Sequence, residues 1–275
     1  MYEVIMGSLK RNSKGEIVYA SGLRVKQSSF YKPNQPELFK ISRSKLNDFL
    51  SCPKCFYLDR VVGLVSPSMP GWTLNTLVDT LLKKEFDECR ELQIPHRIFE
   101  KYGLSHLVPF KHPELNHWRN ALTGGVETHI PNTNIILHGG VDDIWQDTTN
   151  GNLIVLDYKS QSNNYTITPE SYLSGIYHQA YKMQLDVYGY LLEKNGFPVA
   201  PIGYFYVCNA KSEVAGFSGI MEFEEILIPY TLDYSWVEPQ IFNMLNTLNS
   251  KTIPEETFGC ENCAYHRERE KAGDS

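Results

Sequence analysis

Apolar and polar positions along the chain separate into helical and extended stretches. In "GNLIVLDYKS" (151–160), Leu153, Ile154, Val155 and Leu156 run without a polar break, which predicts a buried strand. "NIILHGGVDDIWQD" (134–147) predicts a second strand with a glycine kink, and "IGYFYVCNA" (202–210) and "GIMEFEEILI" (219–228) predict two more. "WTLNTLVDTLLKKEFDECREL" (72–92) places Leu74, Leu77, Val78, Leu81, Leu82 and Phe86 at helical spacing. "YHQAYKMQLDVYGYLLEKNG" (177–196) predicts a helix ended by Asn195-Gly196. "ISRSKLNDFLSCPKCFYLDRV" (41–61) is helical, with Ser42 or Ser44 as N-cap and Pro53 as a break or second start. "DYSWVEPQIFNMLNTLNS" predicts a last helix, "SPSMPG" (66–71) a loop, and the sequence assigns no clear element to 93–132.

Strands thus occupy the middle, with helices before and after. This pattern predicts an α/β (α+β) layer architecture with a central mixed sheet flanked by helices. Residues 1–40 read as a lead-in, 41–265 as a single domain, and 266–275 as a polar tail.

Of 275 residues, 42% are hydrophobic and 21% charged, ordinary for a globular protein with a real core. No apolar run approaches the roughly 18 residues of a membrane span, and the start lacks a signal-peptide layout. The expectation is a cytoplasmic protein with no membrane partner. Its net charge of −6 excludes a surface coated in basic residues, so any nucleic-acid contact must be a local patch.

Asp157 and Lys159 end the apolar strand on one face. Even a neutral polar group costs roughly 2–7 kcal/mol to bury unpaired. Asn150-Gly151 predicts a two-residue hairpin turn before this strand. That register sets Asp142 opposite Lys159 and Ile144 opposite Asp157, with Asp142 and Asp157 as diagonal neighbours about 7–8 Å apart. Two carboxylates so placed suit Mg²⁺ or Mn²⁺, which take oxygen ligands and keep several waters. Lys159 would orient or deprotonate an attacking water, or hold a phosphate. The plain alternative is an Asp142–Lys159 salt bridge, with Asp157 solvated at a strand end. On the following helix Gln184 and Tyr188 share a face at i and i+4.

Taken in order, "SRSKLNDFLSCPKCFYL", "GGVDDIW", "IVLDYKS" and "QLDVY" resemble the PD-(D/E)XK nuclease superfamily over roughly residues 42–265. The likeness is to its RecB-like exonuclease branch. It implies a restriction-endonuclease-like core and phosphodiester hydrolysis of DNA. It further implies Asp142 and Asp157 as metal ligands, Lys159 as catalytic, and Gln184 with Tyr188 positioning the strand or the site. That branch carries a His on the helix before the hairpin; here Asp79 stands there, a third candidate ligand. The chain has no G-x-x-x-x-G-K-[ST] motif, so a separate helicase or recombination partner would have to supply any unwinding. Two further readings keep the same fold: a non-catalytic nucleic-acid-binding module, and a metal-stapled structural protein.

Four of the six cysteines form two Cys-x-x-Cys pairs, Cys52 with Cys55 and Cys260 with Cys263, about 200 residues apart. Two such pairs predict one metal site stapling the N-terminal helix to the C-terminal tail. Both Zn²⁺ and iron–sulfur chemistry accept four thiolates. The likeness to four-cysteine AddB-type subunits and CRISPR-associated exonucleases implies a [4Fe–4S] cluster. Those proteins place one cysteine early and three late, whereas this chain splits two and two, with Arg269 where the last is expected.

Overall fold

The computed structural model describes residues 9–67 and 71–273. Part of the predicted 66–71 loop, the first eight residues of the lead-in and the last two of the tail lie outside the described residues. The N-terminal half runs β1 (Phe39–Ser42), α1 (Arg43–Ser51), α2 (Pro53–Tyr57), α3 (Thr73–Leu92), α4 (Arg97–Lys101), β2 (Leu107–Pro109) and α5 (Leu115–Trp118). Next come β3 (Val126–His129), β4 (Ile135–Gly139), β5 (Asp143–Asp147), β6 (Leu153–Gln161), α6 (Pro169–Ser174) and α7 (Gln179–Lys194). The chain closes with β7 (Ile202–Ala210), β8 (Phe223–Thr231), α8 (Val237–Leu248) and α9 (Glu261–Gly273). The expected mixed sheet flanked by helices is present as five strands in the order β2-β5-β6-β7-β8, beside a three-stranded sheet β1-β4-β3. Only the β6–β7 pair of the larger sheet is parallel.

β6 lies at the centre and is covered on both sides, which explains its unbroken apolar run. Leu153 and Val155 join the core formed with Leu185, Tyr188 and Leu191 of α7. Ile154, Leu156 and Tyr158 join a second core with Leu82 and Phe86 of α3. Period 2 therefore sends Asp157 and Lys159 toward α7 and Tyr158 toward α3.

Two expectations are corrected. The stretch 134–147 is not one kinked strand: β4 and β5 belong to different sheets. The break falls at Gly139-Gly140, where a Cβ on Gly140 would stand 2.7 Å from the Ala121 backbone. The hairpin register also differs. Asp143 pairs with Leu156 and Ile144 with Val155, so Asp142 continues toward Asp157 rather than Lys159. The connection uses four residues, 148–151, closed by Asp147 N–H donating to Asn152 O at 2.9 Å. Asp147 organises it: its Oδ1 accepts from Thr149 N at 2.8 Å, and its Oδ2 accepts from Asn150 Nδ2 at 2.8 Å. Of Asn150 and Gly151 only the glycine takes a positive φ, 81°, so the type I′ turn does not form. The shift is two residues, so every side chain keeps its face.

At the N-terminal end Ser42 is the N-cap of α1, its Oγ accepting from Lys45 N at 3.3 Å, and Pro53 opens α2. The C-terminal stretch read as polar tail is helical through Gly273. No helix among the described residues is long and apolar enough to cross a membrane.

Candidate active site

The site forms where β5 begins and β6 ends. Asp142 precedes β5, and its Oδ2 accepts from Tyr158 N at 3.0 Å. The carboxylate thus takes a ladder position that a backbone carbonyl would otherwise fill, which fixes it against β6. Gly139 permits the approach: a Cβ there would meet the Tyr188 ring at 3.0 Å. Gly139, three residues before Asp142, thereby packs against Tyr188 from the distant α7.

Asp157 is fully buried, unlike the solvated strand-end acid of the plain alternative. Its Oδ1 accepts from Gln184 Nε2 at 2.6 Å, and that amide also donates to the Tyr188 hydroxyl at 2.8 Å. Its Oδ2 pairs with the Lys159 ammonium. Lys159 Nζ in turn stands 4.5 Å from the centre of the Tyr181 ring, a cation–π contact. Tyr181 was missed by sequence reasoning, although it lies one turn before Gln184 on the same helix face.

Electrostatics mark these groups as unusual. Burial pushes the Asp157 carboxyl up to about 8; the Asp142 charge adds to the rise and the Lys159 charge opposes it. Asp142 is near enough to hydrogen-bond to it when one of the two is protonated. Burial would lower the Lys159 ammonium, but the charges of Asp157 and Asp142 outweigh it and hold the group above its usual value. Two acids in mutual reach, one of them desolvated, with one ammonium beside them form a donor set suited to a hard divalent cation.

Asp79 on α3 stands at the margin. Its Oδ2 pairs with Lys83 Nζ at 3.0 Å. Burial raises its carboxyl; Lys83 opposes the rise and the Asp142 charge adds to it, so it senses the site electrostatically. Its oxygens do not close on those of Asp142 and Asp157: among the described residues only the four cysteines bring three or more donor atoms within 4.8 Å of one another.

Asp143 points to the opposite side. It is fully buried, and its Oδ1 accepts from Arg119 Nη2 at 2.7 Å and from Arg90. Tyr158 OH donates to its Oδ2 at 3.0 Å. Adjacent residues of extended chain face opposite ways, so Asp142 and Asp143 cannot both enter the site.

About 200 residues of chain close between the cysteine pairs, and the fold brings all four together. Burial would raise the Cys52 thiol, but hydrogen bonds from the Thr257 and Cys55 backbone dominate and lower it to about 6. Burial and the adjacent sulfurs push Cys55 up, and burial pushes Cys263 up to about 11. Four thiols so close cannot all ionise without a cation among them, which fits a metal site. Cys89 and Cys208 stand apart from the cluster.

No curated protein matches the chain. A family model described as the PD-(D/E)XK nuclease superfamily matches residues 40–267, a span that holds β5, β6, α7 and both cysteine pairs. On that match, which covers most of its length, the chain belongs to the PD-(D/E)XK nuclease superfamily.

Proposed function

We propose that the protein is a metal-dependent deoxyribonuclease of the exonuclease type, hydrolysing phosphodiester bonds with Asp142, Asp157 and Lys159. The observation that carries this reading is the convergence of those three side chains at the junction of β5 and β6. Superfamily membership supports the reaction class, and the RecB-like order of motifs supports DNA and attack from a strand end.

A Mg²⁺ or Mn²⁺ ion held by Asp142 and Asp157 would neutralise phosphate charge and acidify a bound water. The chain's own residues do the rest. Asp142 is fixed by the Tyr158 N–H and Asp157 by the Gln184 amide, so both acids are pre-oriented before substrate arrives. Lys159, paired with Asp157 and set over Tyr181, is a charged donor for a phosphate oxygen or the attacking water. Gln184 and Tyr188 are buried and bonded to each other, and Gln184 also holds Asp157, which supports positioning of the site rather than contact with a strand. Asp79, half-buried and bridged to Lys83, supports a role beyond the first ligands, such as holding a metal-bound water.

The test is cleavage of end-labelled single- and double-stranded DNA and of RNA, with free or blocked ends, in Mg²⁺ or Mn²⁺. The parent is compared with Asp157→Ala and Lys159→Ala. Stepwise shortening from free DNA ends by the parent, and none by either variant, supports the proposal. Retention of DNA without cutting favours a binding module; no interaction with nucleic acid favours a structural role for the metal-stapled fold.

A further inference from the structure

We propose that the four cysteines hold a single zinc ion in a closed tetrahedral site, not the four-iron cluster that the sequence resemblance implies. The sulfur separations decide this. Cys55 Sγ lies 3.5 Å from Cys263 Sγ and 3.6 Å from Cys260 Sγ. Cys52 Sγ lies 3.9 Å from Cys263 Sγ, and all four fall within 4.8 Å of one another. Thiolates at about 2.3 Å from zinc in tetrahedral directions stand about 3.8 Å apart, inside the observed range.

A cubane does not fit that space. Its four thiolates bind four different irons, on the outside of a body that contains four irons and their bridging sulfides. Sulfurs in contact with one another enclose room for one ion and exclude such a body. The cysteine order agrees: two Cys-x-x-Cys pairs each give two thiolates to one ion, and Arg269, where the late third cysteine would stand, is exposed on α9.

The site has four protein ligands, two of them, Cys52 and Cys263, buried, and four thiolates leave a tetrahedral ion no open position for chemistry. Its task is attachment. Cys263 is the one buried residue of α9, a helix with no apolar stripe to seat it. Arg267 of α9 also pairs with Glu256, which in turn reaches Lys54 of α2 at 3.4 Å. Solvent-accessible ion pairs of this kind contribute little to stability. The ion therefore fastens α9 to α2 and, through it, to α1.

The full chain, purified without oxygen, is analysed for metals and acid-labile sulfide, then exchanged with Co²⁺. About one zinc per chain, no sulfide and no visible absorption are expected, with intense tetrahedral thiolate bands on Co²⁺ exchange. Cys260→Ser should lose the Co²⁺ bands while Cys89→Ser retains them. Chelation should accelerate tryptic cleavage at Arg267, Arg269 and Lys271 while circular dichroism of the remaining fold persists. Four irons with four sulfides per chain would overturn the proposal. So would a single iron, a Cys55–Cys263 disulfide in the native protein, or no bound metal at all. None of these readouts depends on nuclease activity, so they stand apart from the function proposed above.

Discussion

Asp143 and Asp157 are both fully buried acids on one hairpin, yet the protein treats them oppositely. Asp143 faces α3 and is met by two arginines, a tyrosine hydroxyl and the Ile144 N–H. Asp157 faces α7 and is met by one lysine, one amide and a second acid, and is pushed up to about 8. A saturated buried acid is a structural element. An under-neutralised one beside a like charge is the arrangement a divalent cation completes. The difference distinguishes a strut from a site on adjoining strands.

The contrast can be broken by exchanging each acid for its amide. Asp157→Asn should lower cleavage by about 10²–10³-fold, measured under single-turnover conditions. Its unfolding free energy in urea should change by less than about 1 kcal/mol, because desolvation and the Asp142 repulsion are relieved as the Lys159 pairing is lost. Asp143→Asn should do the reverse. It leaves Arg90 and Arg119 under-partnered and should cost about 3 kcal/mol in denaturant unfolding. Cleavage by the folded fraction should stay near the parent rate.

Removing a support rather than a ligand gives a middle effect. Gln184→Leu frees the Asp157 and Tyr188 oxygens at once, and should cost about 10–100-fold in metal affinity or rate with the fold retained. A lowered melting temperature with unchanged kinetics would assign Gln184 to packing alone.

The smallest expected effect concerns His96, on the α3 side with Asp143. It is buried and stacked on Phe86 at 4.0 Å. Burial lowers its pKa, with Glu85 partly opposing. The unfolded chain then binds more protons between the folded value and the ordinary value of about 6.5, so stability rises with pH through that window and is lost below it. The unfolding free energy should fall as pH drops below about 6.5, and His96→Gln should flatten the profile.

Much of this was legible before folding, for identifiable reasons. The Leu153–Leu156 run, the offset of Asp157 from Lys159 and the Gln184–Tyr188 spacing are local patterns, and the structure keeps each on its expected face. The register was not legible, because Asp147 side-chain bonds select a longer turn than Asn150-Gly151 suggests. The β4–β5 split depends on Ala121 packing against Gly140, a contact between distant segments. α9 was hidden because its buried residue is Cys263 rather than a hydrophobic face. Arg90 and Arg119, scattered in the sequence, gain meaning only when the fold sets them around Asp143.

The most direct measurement is Mn²⁺ titration followed by electron paramagnetic resonance, on the parent and on folded Asp142→Asn and Asp157→Asn. The account predicts saturable binding in the parent that is lost or at least about tenfold weaker in both variants, with the metal content of the cysteine site unchanged. Equal Mn²⁺ binding by parent and variants would contradict it, because the two acids would then not be the residues that gather the cation.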